Sequence, residues 1–153
     1  MRKMYTLLVI FSILLLCGCG APKEPSHVVV TLERGVDMPS GVWYFSGKEA
    51  WDKGYLPPSL SAVFFGESAP DYSWVLFLGT EDDVLAEFLY AVCHTQYEAQ
   101  ALAETLSLRL AFLKKNTTEA YTVSLNEASV LRRGQCVIYS VMPQNDSLLA
   151  LLE

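Results

Sequence analysis

Between residues 74 and 142 the chain sets two pairs of short apolar runs on either side of one long helical stripe, and that order limits its folds. Residues 74–78 (WVLFL) end at Gly79, and residues 86–93 (AEFLYAVC) place Phe88, Tyr90 and Val92 on one side of a pleat; both read as strands. The acidic stretch Thr80-Glu81-Asp82-Asp83 joins them as a hairpin loop. Thr95-Gln96-Tyr97-Glu98 is a capping box, in which the threonine hydroxyl and the glutamate carboxylate satisfy each other's backbone amides. Behind it Ala99, Leu102, Ala103, Leu106, Leu110 and Leu113 recur at helical spacing. Gln100, Glu104 and Ser107 fall away from that stripe, Lys114 and Lys115 suit the C-terminal end, and Asn116-Thr117-Thr118 closes the helix.

A second pair follows, residues 128–132 and 135–142, around a turn at Arg133-Gly134 where glycine can take a positive φ. Pro143 ends it, and Asp146 is placed to cap a short terminal helix carrying Leu148, Leu149, Leu151 and Leu152. The resulting order is strand, strand, helix, strand, strand, helix. It predicts an α+β domain with a mainly antiparallel sheet of about four strands and the long helix across one face.

Upstream the signals are weaker. Residues 27–32 (HVVVTL) are β-branched and read as a first short strand or an extended lead-in, and residues 42–45 (VWYF) as a further strand. Residues 55–66 (YLPPSLSAVFFG) read as a short helix, with prolines in the first turn, Leu60, Val63 and Phe64 on one side, and Gly66 to end it. No internal repeat or low-complexity segment interrupts the chain.

The first residues carry an address. Arg2 and Lys3 precede an apolar stretch from residue 7 to residue 16 broken only by Ser12, the layout of a secretory signal. It is too short for a permanent span, which takes about 20 apolar residues. Leu16-Cys17-Gly18-Cys19 resembles the lipobox of bacterial lipoproteins, which implies cleavage before Cys19 and diacylglyceryl transfer to that thiol. Cys17 fits less well, with Leu16 and not a small residue before it. The expected organisation is a leader at 1–18, a lipidated tether at 19–26 and one globular domain at 27–153, on the extracytoplasmic face of the cell membrane. At full extension the seven residues after Cys19 reach about 25 Å.

Composition removes some partners. The formal charge is −6, and because Arg2 and Lys3 put +2 on the leader, the mature part carries −8. A domain so acidic and without a basic run is a poor ligand for nucleic acid. It would also be repelled weakly by anionic head groups, leaving the membrane contact to the lipid anchor.

Residues 55–66, 72–78 (YSWVLFL), 86–93 leading into the long helix, and 130–142 (VLRRGQCVIYSVM), together with the lipobox, resemble small uncharacterised lipoproteins of Gram-positive anaerobes that carry a domain of unknown function. The resemblance covers residues 55–153 and the lipobox; residues 27–54 depart from it. It implies a single domain outside the membrane and carries over no activity and no site residue.

Candidate sites are few. Cys93 and Cys136 lie on apolar strands, where a disulfide is open to an exported protein if those strands pair; buried free thiols are the preferred reading. His94 adjoins Cys93, but neighbouring strand residues point to opposite sides, against a Cys-His nucleophile. Glu81, Asp82 and Asp83 lack the spaced ligands and glycine of a calcium loop. Trp43, Tyr44, Trp51, Tyr55 and Trp74 could stack a sugar or peptide, though sheet packing is the expected use. His27 has no ligand partner near it in sequence. No catalytic, cofactor or metal motif emerges. The expected function is a tethered binding or interaction module meeting a cell-envelope protein or wall component, the alternative a cell-envelope hydrolase with an unrecognised active site. Oligomeric state is left open.

Overall fold

A computed structural model describes residues 21–81, 84–117 and 122–153. The leader, Cys19, Asp82, Asp83 and Thr118 lie outside them. The chain runs α1 (Pro25–Gly35), β1 (Gly41–Phe45), α2 (Pro58–Phe65), β2 (Ser73–Gly79), β3 (Glu87–Val92), α3 (Gln96–Asn116), α4 (Thr122–Asn126), β4 (Ser129–Arg133), β5 (Cys136–Val141) and α5 (Asn145–Ala150).

The strands form one antiparallel sheet in the order β1-β2-β3-β5-β4. The expected α+β architecture with its long helix on the sheet is what the chain adopts, with five strands and not four. The extra strand is β1, residues 42–45 of the sequence reading with Gly41 added, which pairs along β2 from Gly41↔Gly79 to Phe45↔Val75. After β3 the chain crosses the sheet through α3, enters at the far edge as β4, and turns back so that β5 fills the space beside β3. Arg133 pairs with Cys136 across that hairpin, and Gly134 takes φ 61° at its turn, a conformation that favours glycine.

Both sides of the sheet are buried, which accounts for strands that are nearly continuous apolar runs. Leu76, Leu89, Ala91, Val137 and Tyr139 face α2, α3 and α4, packing with Phe64, Leu102, Leu106 and Leu125. Val75, Phe77, Phe88, Tyr90 and Ile138 face α1 and α5, packing with Val28, Leu32 and Leu148.

The capping box of α3 forms as predicted, with the Glu98 amide donating to Thr95 Oγ1 and the Thr95 amide to Glu98 Oε2. Of its stripe Ala99, Leu102 and Leu106 are buried, while Ala103, Leu110 and Leu113 pack partly against the core. α2 ends at Gly66 in the left-handed conformation, φ 80°, as a glycine C-cap should.

Two local readings are corrected. Residues 27–32 belong to helix α1 and not to a strand. A strand would bury alternate residues, yet Val28, Val29 and Leu32 are buried and Val30 is 44% exposed, the spacing of a helical face. Pro25 sits in the first turn and fixes its φ for helix, and docking of the valine face on the sheet outweighs the modest helix cost of β-branching. The fold also starts earlier than residue 27: Pro25 is buried, the Tyr90 hydroxyl donates to the Lys23 carbonyl at 3.0 Å, and Lys23 Nζ donates to the Leu151 carbonyl at 3.1 Å. At the other end Asp146 is not the cap of α5. Gln144 holds that position with φ 60°, and Asp146 lies in the first turn.

Candidate binding cleft

A concavity with charged groups in its lining lies where α2, the β2–β3 hairpin and α3 meet. It is a cleft of about 530 Å³, lined by Leu60, Val63, Leu78 and Leu85 together with the charged Glu81, Glu87 and Arg109. Each charge interrupts an apolar pattern. Glu87 opens β3 on the side that continues with Leu89 and Ala91, and Arg109 continues the buried run of Leu102 and Leu106 along α3. The folding of two otherwise apolar surfaces together therefore brings one carboxylate against one guanidinium.

The pair is fully engaged. Arg109 Nε donates to Glu87 Oε2 at 2.7 Å, Arg109 Nη2 donates to Glu87 Oε1, and the Tyr139 hydroxyl donates to Oε2 at 2.6 Å. The Arg109 guanidinium also lies 4.3 Å from the centre of the Phe64 ring, a cation–π arrangement. Burial alone would lower the Arg109 pKa, but the hydrogen bonds and charge of Glu87 more than offset it, and the net shift is upward. Burial first, then the adjoining Glu87 carboxylate, push the Tyr139 phenol well above its usual value, so it remains a donor. Because both carboxylate oxygens are occupied, the desolvation cost of a buried charge pair is met by contacts. The guanidinium has five N–H donors, of which two of its nitrogens face Glu87. Its side chain keeps 17% exposure toward the cleft.

Such a cleft offers apolar side chains, a fixed positive group beside a fixed negative one, and a second carboxylate at Glu81. Among the described residues its lining has no serine, cysteine or histidine. Neither Glu87 nor Arg109 is singled out by the sequence reading. The signal that would have found them is a lone charge in the core-facing register of β3 matched by a lone opposite charge in the core-facing stripe of α3.

The residues that the sequence does single out are not gathered into a site. Cys93 and Cys136 are free and buried, on opposite sides of the sheet. Each lies beside a tyrosine, Cys93 by Tyr72 and Cys136 by Tyr90. Burial pushes the Cys93 thiol up to about 11, the reverse of an activated nucleophile. His94 points outward, 58% exposed, with Nδ1 3.9 Å from Asp71 and its ring edge-on to Tyr72. His27 is exposed on α1.

Glu81 accepts from the Ser40 amide at 2.8 Å, and that hydrogen bond lowers its pKa. Its carboxylate thus ties the hairpin loop to the entry of β1. The aromatics divide: Trp43 packs on Phe77 and Phe88, Trp74 on Phe65, Tyr44 on the α3 side, Tyr55 is half-buried and Trp51 stands 79% exposed by itself. They make no common platform. Among the described residues no group of three or more His, Cys, Asp or Glu could hold a metal ion, and no helix is long and apolar enough to cross a membrane. No family model, curated protein or solved structure matches the chain.

Proposed function

We propose that the chain is exported, lipidated on Cys19 and held on the extracytoplasmic face of the cell membrane, where its domain is a binding module with the Glu87–Arg109 cleft as its recognition site. The basic, then apolar, then Leu16-Cys17-Gly18-Cys19 order supports the address. The kinship with small Gram-positive lipoproteins belongs to the same proposal.

The observation that carries the binding reading is the cleft itself: apolar side chains around a charge pair that is held rigid and satisfied. Fixed polar groups in an apolar hollow orient a ligand, and the ligand class that fits is a neutral or zwitterionic group with an apolar arm. The Lys23 contacts shorten the leash expected from sequence, since residues from 23 onward are attached to the fold. From Cys19 to Lys23 the chain spans roughly 14 Å at full extension.

A photoreactive residue in place of Val63, 42% exposed at the cleft, should give a discrete adduct with an envelope component in intact cells. The same residue in place of Trp51, exposed and outside the cleft, should not. Equal labelling from both positions, or none from either, contradicts the reading. A Cys93→Ala/His94→Ala chain that folds but loses its function would favour the hydrolase.

A further inference from the structure

α3 is apolar on two opposite sides. Ala99, Leu102 and Leu106 face the sheet, while Tyr97, Leu108 and Phe112 are 83%, 74% and 63% exposed. Positions 97, 101, 108 and 112 fall within one turn-to-turn stripe of a helix with 3.6 residues per turn, and Ala101 is exposed among them. Three large side chains aligned on one exposed stripe differ from the single scattered apolar residues of an ordinary surface. The charge along the same helix is graded, with Glu98 and Glu104 in its first half and Lys114 and Lys115 in its last turn.

We infer that this stripe pairs two copies of the chain through antiparallel α3 helices. Antiparallel crossing sets the acidic half of one helix along the basic end of the other and opposes the two helix dipoles. It also decides the register. Centring the axis on Glu104 would bring the two Glu104 carboxylates together, whereas centring it on Leu108 packs Leu108 on Leu108, sets each Phe112 beside Leu108 and Glu104 of the other copy, brings Glu104 within reach of the other copy's Lys115, and leaves Tyr97 beyond the overlap. Small Ala101 and Ala111 on either side let the helices approach. The pairing is isologous, as most homodimers are, and leaves the cleft of each copy to its ligand.

The test uses the full chain in its native membrane. Cys93 and Cys136 are buried, so a single Leu108→Cys substitution supplies the reactive thiol, with the parent chain as the background. Mild oxidation should convert Leu108→Cys to a disulfide-linked dimer of twice the chain mass. Tyr97→Cys should not link, because the two positions would stand about 33 Å apart along antiparallel helices. In the Leu108→Cys background Glu104→Lys should reduce crosslinking about three-fold, as loss of two symmetry-related exposed ion pairs allows, and adding Lys115→Glu should restore it. Linking at Tyr97→Cys as strong as at Leu108→Cys would establish a parallel arrangement and overturn the proposal. So would an adduct of Leu108→Cys with a different protein in place of its own twin, or no adduct above the parent chain.

Discussion

The two faces of the sheet are closed by different means. Toward α1 and α5 the contact is almost wholly apolar, with Val28, Leu32, Phe88 and Leu148 fully buried. Two polar side chains, Ser140 and Asn145, are also fully buried on this side, and at its margin Tyr90 holds Lys23. Toward α2 and α3 the core opens into a cleft lined by a carboxylate and a guanidinium, with the Tyr139 phenol buried behind the carboxylate. Apolar packing tolerates small readjustments, but a buried charge pair holds only when every partner is in place. The α1/α5 face therefore suits attachment of the chain's entry, and the α2/α3 face, carrying both the cleft and the exposed α3 stripe, suits recognition.

The harshest way to break the comparison is to put an unpaired charge in the apolar part of the α3 face. Leu106→Asp should unfold the domain, since an isolated buried carboxylate costs several kcal/mol against a total stability of about 5 to 15. Gln100→Asp, on the exposed side where Gln100 donates a hydrogen bond to Glu104, should be nearly silent. Equal melting temperatures for the two would reject this orientation of α3.

Next come changes that treat the faces alike in size but not in kind. Phe88→Ala should cost about 3–5 kcal/mol through the cavity left on the α1 face. Glu87→Ala should cost about 3–5 kcal/mol because it leaves Arg109 buried without its partner. Only the second should be relieved by a companion change: Glu87→Leu combined with Arg109→Met should recover much of the loss in denaturant melts. Additive losses would mean that the pair is not coupled.

Smaller effects sharpen the contrast. Tyr139→Phe removes a hydrogen bond to a charged group and should cost about 1.5–3 kcal/mol, whereas Tyr90→Phe removes one to a carbonyl and should cost about 0.5–1.5 kcal/mol. Hydrogen exchange near Lys23 should rise only in the Tyr90 variant. Cys93 gives the mildest signature. With its thiol pushed up to about 11 by burial, native alkylation at pH 8 should be slow and should quicken as the pH rises toward that value, while the unfolded chain reacts at once. Fast native labelling at pH 8 would contradict the burial described.

Much of this was legible in the sequence. The capping box, the proline start and glycine end of α2, and the hairpin at Gly134 depend on local chemistry, and the structure follows them. Residues 27–32 look like a strand in sequence because β-branching is a local preference, while the decisive contact, Val28 and Leu32 against β2 and β3, comes from far along the chain. The cleft was hidden for a related reason. Glu87 and Arg109 are 22 residues apart, and each alone resembles a surface charge. Their meaning appears only when the registers of β3 and α3 are superposed. The exposed Leu108 and Phe112 lie on the second apolar side of a helix whose first side had already accounted for its burial.

In the proposed arrangement the domain hangs by Cys19 on a leash ending at Lys23, so that the α1/α5 face is the attached one. Intact-mass and peptide mass spectrometry of the protein recovered from its native membrane tests this most directly. The account predicts an N-terminal peptide that begins at Cys19 and carries a diacylglyceryl group on its sulfur, and loss of that species in Cys19→Ala. A native N-terminus at Met1, or a chain beginning at Cys19 with an unmodified thiol, would contradict it.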